Sequence, residues 1–307
     1  GGKSGGHVKT GSVTIAYDGL QASSHRIDMR RFGYALVGFD HVVTYGVIAL
    51  TERRIARSRE RLDFDVVVGE PEKGSVTAVG GLMAAYSATQ GNLPFLVQLI
   101  NETMPDIVWH WVSWVFKTLG GRPKEADPHF EKLMEFAERV LEGQRLDRDK
   151  ERQSFELERL DREKERQFLL QVIDKLKPHA ASVAMPVGQS SNELSFRRPG
   201  TTEETKLGVA EAEAIRSKEP IEVGDERILE IRIDGLTKHT TRGSVELSEE
   251  PGRYFPIEIR DPIFEFTPNP YISAMNSSEE IEVRAVPTYR AGELYKLYIM
   301  GLAPKAE

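Results

Sequence analysis

Residues 145–158 and 159–172 read RLDRDKERQSFELE and RLDREKERQFLLQV, one 14-residue phrase written almost twice. Within 145–166 stand 16 charged side chains, eight of each sign. A segment this charged cannot form a conventional core, and its sign alternation suits a helix in water. Glu158–Arg162 at i,i+4, with Asp147–Lys150, Asp149–Arg152, Asp161–Lys164 and Glu163–Arg166 at i,i+3, supports one by a few tenths of a kcal/mol per pair, roughly. The preceding ADPHFEKLMEFAERVLEG starts on a cap signal, Asp127 followed by Pro128, and carries a broad apolar face through Phe130, Leu133, Met134 and Ala137. Together these predict a helix from about 128 to about 177, roughly 75 Å long, ended by Pro178.

Fourteen residues is two heptads. One stripe along the phrase reads Leu146, Lys150, Gln153, Leu157, Leu160, Lys164, Gln167. Two structural roles compete: a short coiled coil that oligomerises the chain through Leu146, Leu157 and Leu160, and a solvated helix that spaces two domains. A charged disordered linker is the third reading. None of the three is an activity.

The flanks differ from this centre and from each other. Residues 1–7 read as an expression scar and stand outside the fold. On the N-terminal side, SVTIAYDGL alternates Val13, Ile15 and Tyr17 and stops at Asp18-Gly19, a strand and a turn. Met29, Phe32, Leu36, Phe39, Val43 and Val47 then recur at helical spacing behind a cap at Asp28. Residues 62–82 give two strands around Pro-Glu-Lys-Gly, so residues 8–126 open β-α-β-β. Two helices follow, LPFLVQLINET and the tryptophan-rich PDIVWHWVSWVFKTLGG. Residues 179–219, rich in Gly, Pro, Ser and Thr at their start, read as a linker with one strand near 193–197. From 220 to 307 short strands recur every 8–12 residues, which predicts a small antiparallel β-barrel or sandwich. The fold class expected is α+β, in three parts.

The third part is acidic. Residues 201–307 hold 21 acidic and 13 basic side chains, a surplus of eight negative charges in a chain of net charge −7. Nucleic-acid binders carry a basic footprint, and this region lacks one. The most basic local stretch lies elsewhere, TERRIARSRER, where Arg53, Arg54, Arg57, Arg59 and Arg61 could grip phosphates. The plainer alternative is the solvated C-terminal end of the preceding helix, where cations suit the dipole. No aromatic residue is interleaved there to stack bases.

Signals of catalysis are sparse. No cysteine occurs, which removes disulfides, thiolate metal sites and thiol nucleophiles, and fits a reducing cytoplasm. Six histidines lie outside the scar, His25, His41, His110, His129, His179 and His239, and no two share an i,i+4 helical spacing. Neither G-x-S-x-G nor G-x-x-x-x-G-K-[ST] follows a strand. A carboxylate site assembled from distant segments stays open as a third reading. Trp109, Trp111 and Trp114 are either core residues, interface anchors, or one face of an interfacial membrane helix, and His110, Ser113 and Lys117 form the only polar stripe beside them. No run of 18 apolar residues occurs, so no spanning helix is expected.

The opening YDGLQASSHRIDMRRFGYAL, the strand pair ending EPEKGSV and the late IRIDGLTKH are similar to bacterial proteins of an uncharacterised two-domain type. Those have a small α/β N-terminal domain and a β-rich C-terminal domain. The resemblance implies a bacterial origin and transfers no catalytic residue. The combined expectation is a cytoplasmic homo-oligomer without cofactor or metal, non-enzymatic, that contacts a protein partner through its β-rich domain. A nucleic-acid or nucleotide module using the arginines is the alternative.

Overall fold

The computed structural model describes residues 8–24, 26–57, 65–68, 76–84, 106–122, 127–146, 162–198 and 200–304. It divides into two compact units. The first comprises Gly1–Leu119 and Pro123–Arg216, the second Gly120–Arg122 and Ser217–Glu307.

In the first unit the elements run β1 (Val8–Asp18), α1 (Met29–Glu52), β2 (Asp65–Val68), β3 (Val76–Ala84), α2 (Ile107–Leu119), α3 (Pro128–Leu146), α4 (Arg162–Val183), β4 (Glu193–Arg197), β5 (Glu204–Leu207) and α5 (Val209–Arg216). The sheet is antiparallel, in the order β2-β3-β1-β4-β5. Ile15 lies opposite Ala78 on one side and Phe196 on the other. The segment 179–219, expected as a linker with one strand near 193–197, forms that strand as β4, but up to Arg216 it belongs to the first unit rather than to a linker. β4 completes the sheet beside β1, and α5 buries Val209, Ala212 and Ile215. Its turn-rich composition reflects the tight 186–192 loop that enters β4, where the amides of residues 189, 190 and 191 all donate to the Pro186 carbonyl.

One sheet face carries the helices. Tyr17 donates to the Val183 carbonyl of α4 at 2.7 Å and sets its ring edge on Phe32 of α1. Phe196 packs on Phe116 of α2 with ring centroids 4.6 Å apart. α1 starts on its predicted cap, with Asp28 accepting from the Arg31 amide at 2.8 Å. Its buried stripe is Ala35, Phe39, Val42, Val43 and Ile48, whereas Met29, expected on that stripe, is exposed. Two glycines let neighbours close on α1. A Cβ at Gly38 would stand 2.5 Å from the His179 carbonyl oxygen of α4. One at Gly46 would stand 2.1 Å from the indole nitrogen of Trp111.

The expected single helix over 128–177 is observed as α3 and α4, and residues 147–161 lie outside the described ones. Pro178 does not stop α4, which runs on to Val183. Proline removes one backbone donor. Burial of Leu169, Val172, Ile173, Leu176, Ala180 and Val183 along one side holds the helix through it. The expected helix LPFLVQLINET also lies outside the described residues.

The second unit runs β6 (Glu222–Val223), β7 (Arg227–Thr237), β8 (Arg242–Leu247), β9 (Glu250–Ile259), α6 (Pro270–Ser277), β10 (Glu280–Arg290) and β11 (Glu293–Leu302). The sheet order is β11-β9-β8-β7-β10-β6, and β10 also pairs with β11, so five strands close a barrel. Only β9–β11 is parallel among these pairs. A three-strand meander, a helix, then a hairpin whose second strand lies beside the third is the topology of the oligonucleotide/oligosaccharide-binding (OB) fold.

Strict alternation builds its interior. Leu229, Ile231 and Ile233, then Val245 and Leu247, then Phe255, Ile257 and Ile259 point inward with Val283, Ala285, Leu297 and Ile299. Asn269 caps α6 by accepting from the amides of Tyr271 and Ile272 at 3.0 and 3.2 Å. Tyr271 joins that core with its hydroxyl on Asp261 at 2.7 Å. Ala291 and Gly292, both at positive φ, make the two-residue β10–β11 turn.

Candidate functional site

The arginine segment begins where α1 ends. Arg53 takes a left-handed conformation at the C-cap and forms an ion pair with Glu165, in the first turn of α4. The Arg53 Nη1 and Glu165 Oε1 atoms are buried without a hydrogen-bond partner. Burial pushes the Glu165 carboxyl up and Arg53 pulls it back, leaving it above its ordinary value. Arg54 pairs with Glu52 at 2.7 Å, and Arg57 is exposed. Arg59 and Arg61 lie outside the described residues, as do Leu157 and Leu160 of the seam. Leu146 is the last residue of α3. Arg53, offered as a phosphate contact, is thus committed to a carboxylate inside the fold.

All three tryptophans are buried within the first unit, so their rings are core rather than anchors for another chain. Trp111 donates to the Val42 carbonyl at 2.9 Å and Trp109 to that of Phe196 at 3.1 Å, while Trp114 packs on Phe130. α1 is the one described helix long and apolar enough to cross a membrane, and it is mostly buried in this unit.

The polar stripe of α2 organises a row of titratable groups. Asp106, His110, Ser113 and Lys117 sit at i, i+4, i+7 and i+11, on one side of the helix. His129 enters between His110 and Lys117 from the first turn of α3, where Asp127 accepts from its backbone amide at 2.8 Å. His110 Nε2 is 3.2 Å from Asp106 Oδ2, His110 Nδ1 is 3.0 Å from His129 Nδ1, and Lys117 Nζ is 2.9 Å from His129 Nε2. Arg198 grips Asp106 at 2.7 Å and Glu203 at 2.6 Å, with its guanidinium over Trp109. Ser113 accepts from Thr205 at 2.9 Å. The two imidazoles are 8% and 6% exposed. Burial lowers the His110 pKa, against the pull of Asp106. Burial and then Lys117 bring that of His129 down to about 4. The stripe was visible in the sequence. Its partner His129 was not, since nothing local says that the start of α3 returns to the middle of α2.

The barrel carries the second polar cluster. Glu258, 4% exposed, accepts from Lys296 at 2.7 Å and pairs with Arg260, with Arg242 at 3.6 Å. Burial pushes its carboxyl up, and Lys296, Arg260 and Arg242 outweigh that, leaving it below its ordinary value. On the outward side of β8 and β9, Arg242 stands opposite Glu258, Ser244 opposite Pro256, and Glu246 opposite Tyr254. Arg232 of β7 bridges Glu246 at 3.0 Å and Glu280 at 2.7 Å. Tyr254 is 56% exposed beside these pairs.

Among the described residues no group of three His, Asp or Glu side chains is placed to hold a metal ion. An apolar crevice among α1, α2 and α3, lined by Val47, Leu50, Ile107, Val108 and Phe136, offers no titratable group.

Residues 13–216 match the model of a domain of unknown function, DUF7946, and residues 225–303 that of a family of unknown function, DUF7947. No curated protein and no solved structure matches the chain.

Proposed function

We propose that this chain, which belongs to the DUF7946 family, is a non-enzymatic binding protein of the bacterial cytoplasm that self-assembles and contacts a protein partner through its barrel. The observation that carries this reading is the outward face of β7–β9. There an exposed Tyr254 stands among the ion pairs of Arg232, Glu246 and Glu280. An aromatic side chain ringed by charge is the composition of a protein-contact surface. In barrels of this topology the second and third strands also present the ligand face. Phe266, 66% exposed, and Ile228, 57% exposed, add apolar surface on the same unit. The acidic surplus of residues 201–307 repels phosphate backbones and suits a basic protein surface.

The test is purification of the tagged full chain from its native host, beside Tyr254→Ser and Phe266→Ser. A stoichiometric partner that is lost with the variants, while their far-UV spectrum is kept, is the expected result. A partner retained at full occupancy by both variants contradicts the barrel contact. Self-assembly is read from light scattering. A wild-type monomer overturns it, and a mass lowered by Leu146→Lys, Leu157→Lys and Leu160→Lys together supports the helical seam. The nucleic-acid reading ranks second, because Arg53 and Arg54 spend their guanidiniums on Glu165 and Glu52. Binding of duplex DNA at low salt, lost steeply as salt rises, reinstates it.

A further inference from the structure

We propose that the row Lys117–His129–His110–Asp106 is an acid-released latch that ties α2 to the first turn of α3. The hydrogen bonds admit one arrangement of protons. Asp106 is gripped by Arg198, and a carboxylate only accepts, so the His110 Nε2 that faces it at 3.2 Å carries hydrogen. A neutral His110 then has a bare Nδ1. The atom facing it at 3.0 Å is His129 Nδ1, which must donate. A neutral His129 then has a bare Nε2, and Lys117 Nζ donates to it at 2.9 Å. Every donor in the row points the same way, from Lys117 towards Asp106.

One added proton ends that arrangement. An imidazolium carries hydrogen on both nitrogens. Protonating His110 puts two N–H groups face to face across the Nδ1–Nδ1 contact. Protonating His129 places an N–H against the Lys117 ammonium. Either event removes a bond that joins α3 to α2, inside a pocket too dry to solvate the charge.

The surroundings set where this happens. Asp106, Asp127 and Glu203 favour the charged forms, while Lys117, Arg198, Lys132 and burial oppose them. Opposition prevails for both rings, so the latch is closed at neutral pH and opens in acid. Trp109 lies edge-on to both rings at 4.8 Å and so can report the event.

Long-range 1H–15N spectra of the labelled full chain test the proton arrangement. At pH 7, His110 should show hydrogen on Nε2 alone and His129 on Nδ1 alone. As pH falls below the ordinary imidazole range, both rings should lose these signatures, His129 near pH 4, with a change in Trp109 emission. A charged ring at pH 7, the opposite tautomer on either ring, or independent titration of both near 6.5 overturns the latch. Lys117→Met provides a second arm. Removing its charge should raise the pH at which His129 takes up its proton, and an unmoved midpoint contradicts the proposed row.

Discussion

The two units solve the same burial problem by different periodicities. The barrel interior comes from period-two alternation within contiguous strands, so each strand's inward residues are fixed by the strand's own sequence. The first unit assembles its sheet from strands far apart in the chain, β1 beside β3 and β4, and covers it with α1, α2 and α4. Its contacts are matched across long sequence separations, as when Tyr17 meets Val183, Trp109 meets Phe196 and Arg53 meets Glu165. Polar groups are used differently too. The barrel buries one carboxylate among three cations, whose mutual attraction needs no particular tautomer. The first unit also buries an ion pair, Arg53 with Glu165, but adds neutral imidazoles whose bonds depend on where single protons sit. The difference predicts which unit answers to packing, to charge and to acid.

The largest effect is expected from Phe255→Ala, which removes a core ring from the barrel and should cost about 3 to 5 kcal/mol. The chain's three tryptophans all lie in α2, so their emission should stay native while far-UV β signal is lost. Loss of both signals together would break the division into separately folding units. Next comes Glu258→Gln, which removes a buried negative charge that Lys296 and Arg260 both pair with and should cost about 3 kcal/mol, again seen in the barrel alone. Denaturant midpoints followed by far-UV signal measure it, and a change under about 0.5 kcal/mol would show that the cluster is solvated rather than buried. A smaller effect, about 1 kcal/mol, is expected in the first unit from Asp28→Ala, which removes the α1 cap. It should lower the tryptophan-monitored midpoint and leave the barrel's unchanged.

What was legible beforehand follows the same line. The barrel strands were readable because inside and outside alternate along RILEIRI and YFPIEIR. Asp234-Gly235 and Pro251-Gly252, expected as turns between strands, instead lie within β7 and β9, and the chain reverses at 238–241 and 248–249. Which strands become neighbours was not readable, because β9 beside β11 is a choice made by closure rather than by local pattern. In the first unit, caps at Asp28 and Asp127 marked helix starts, since capping is a local bond. The role of 193–197 was hidden, because a strand that pairs with β1 from 175 residues downstream leaves no mark except a short apolar run. Pro178 misled for the opposite reason, as a local stop signal overruled by the buried side of α4. The site was readable only as the polar stripe on α2.

The most direct test of this contrast is thermal unfolding of the wild-type chain at pH 7 and pH 5, followed at once by tryptophan emission and by far-UV signal. His110 and His129 have lower pKa values in the folded unit than when unfolded. Their neutral forms therefore contribute stability that is complete above about pH 6.5 and drains away as pH falls, towards 4 for His129. Glu258 is likewise depressed, but from an ordinary value of 4.5, so the barrel keeps its contribution at pH 5 and loses it only in stronger acid. The account predicts a tryptophan-monitored transition that drops by a few degrees between pH 7 and pH 5, an effect of order 1 kcal/mol, with the barrel transition unmoved. A tryptophan transition that does not move, or a barrel transition that moves as far, would contradict it.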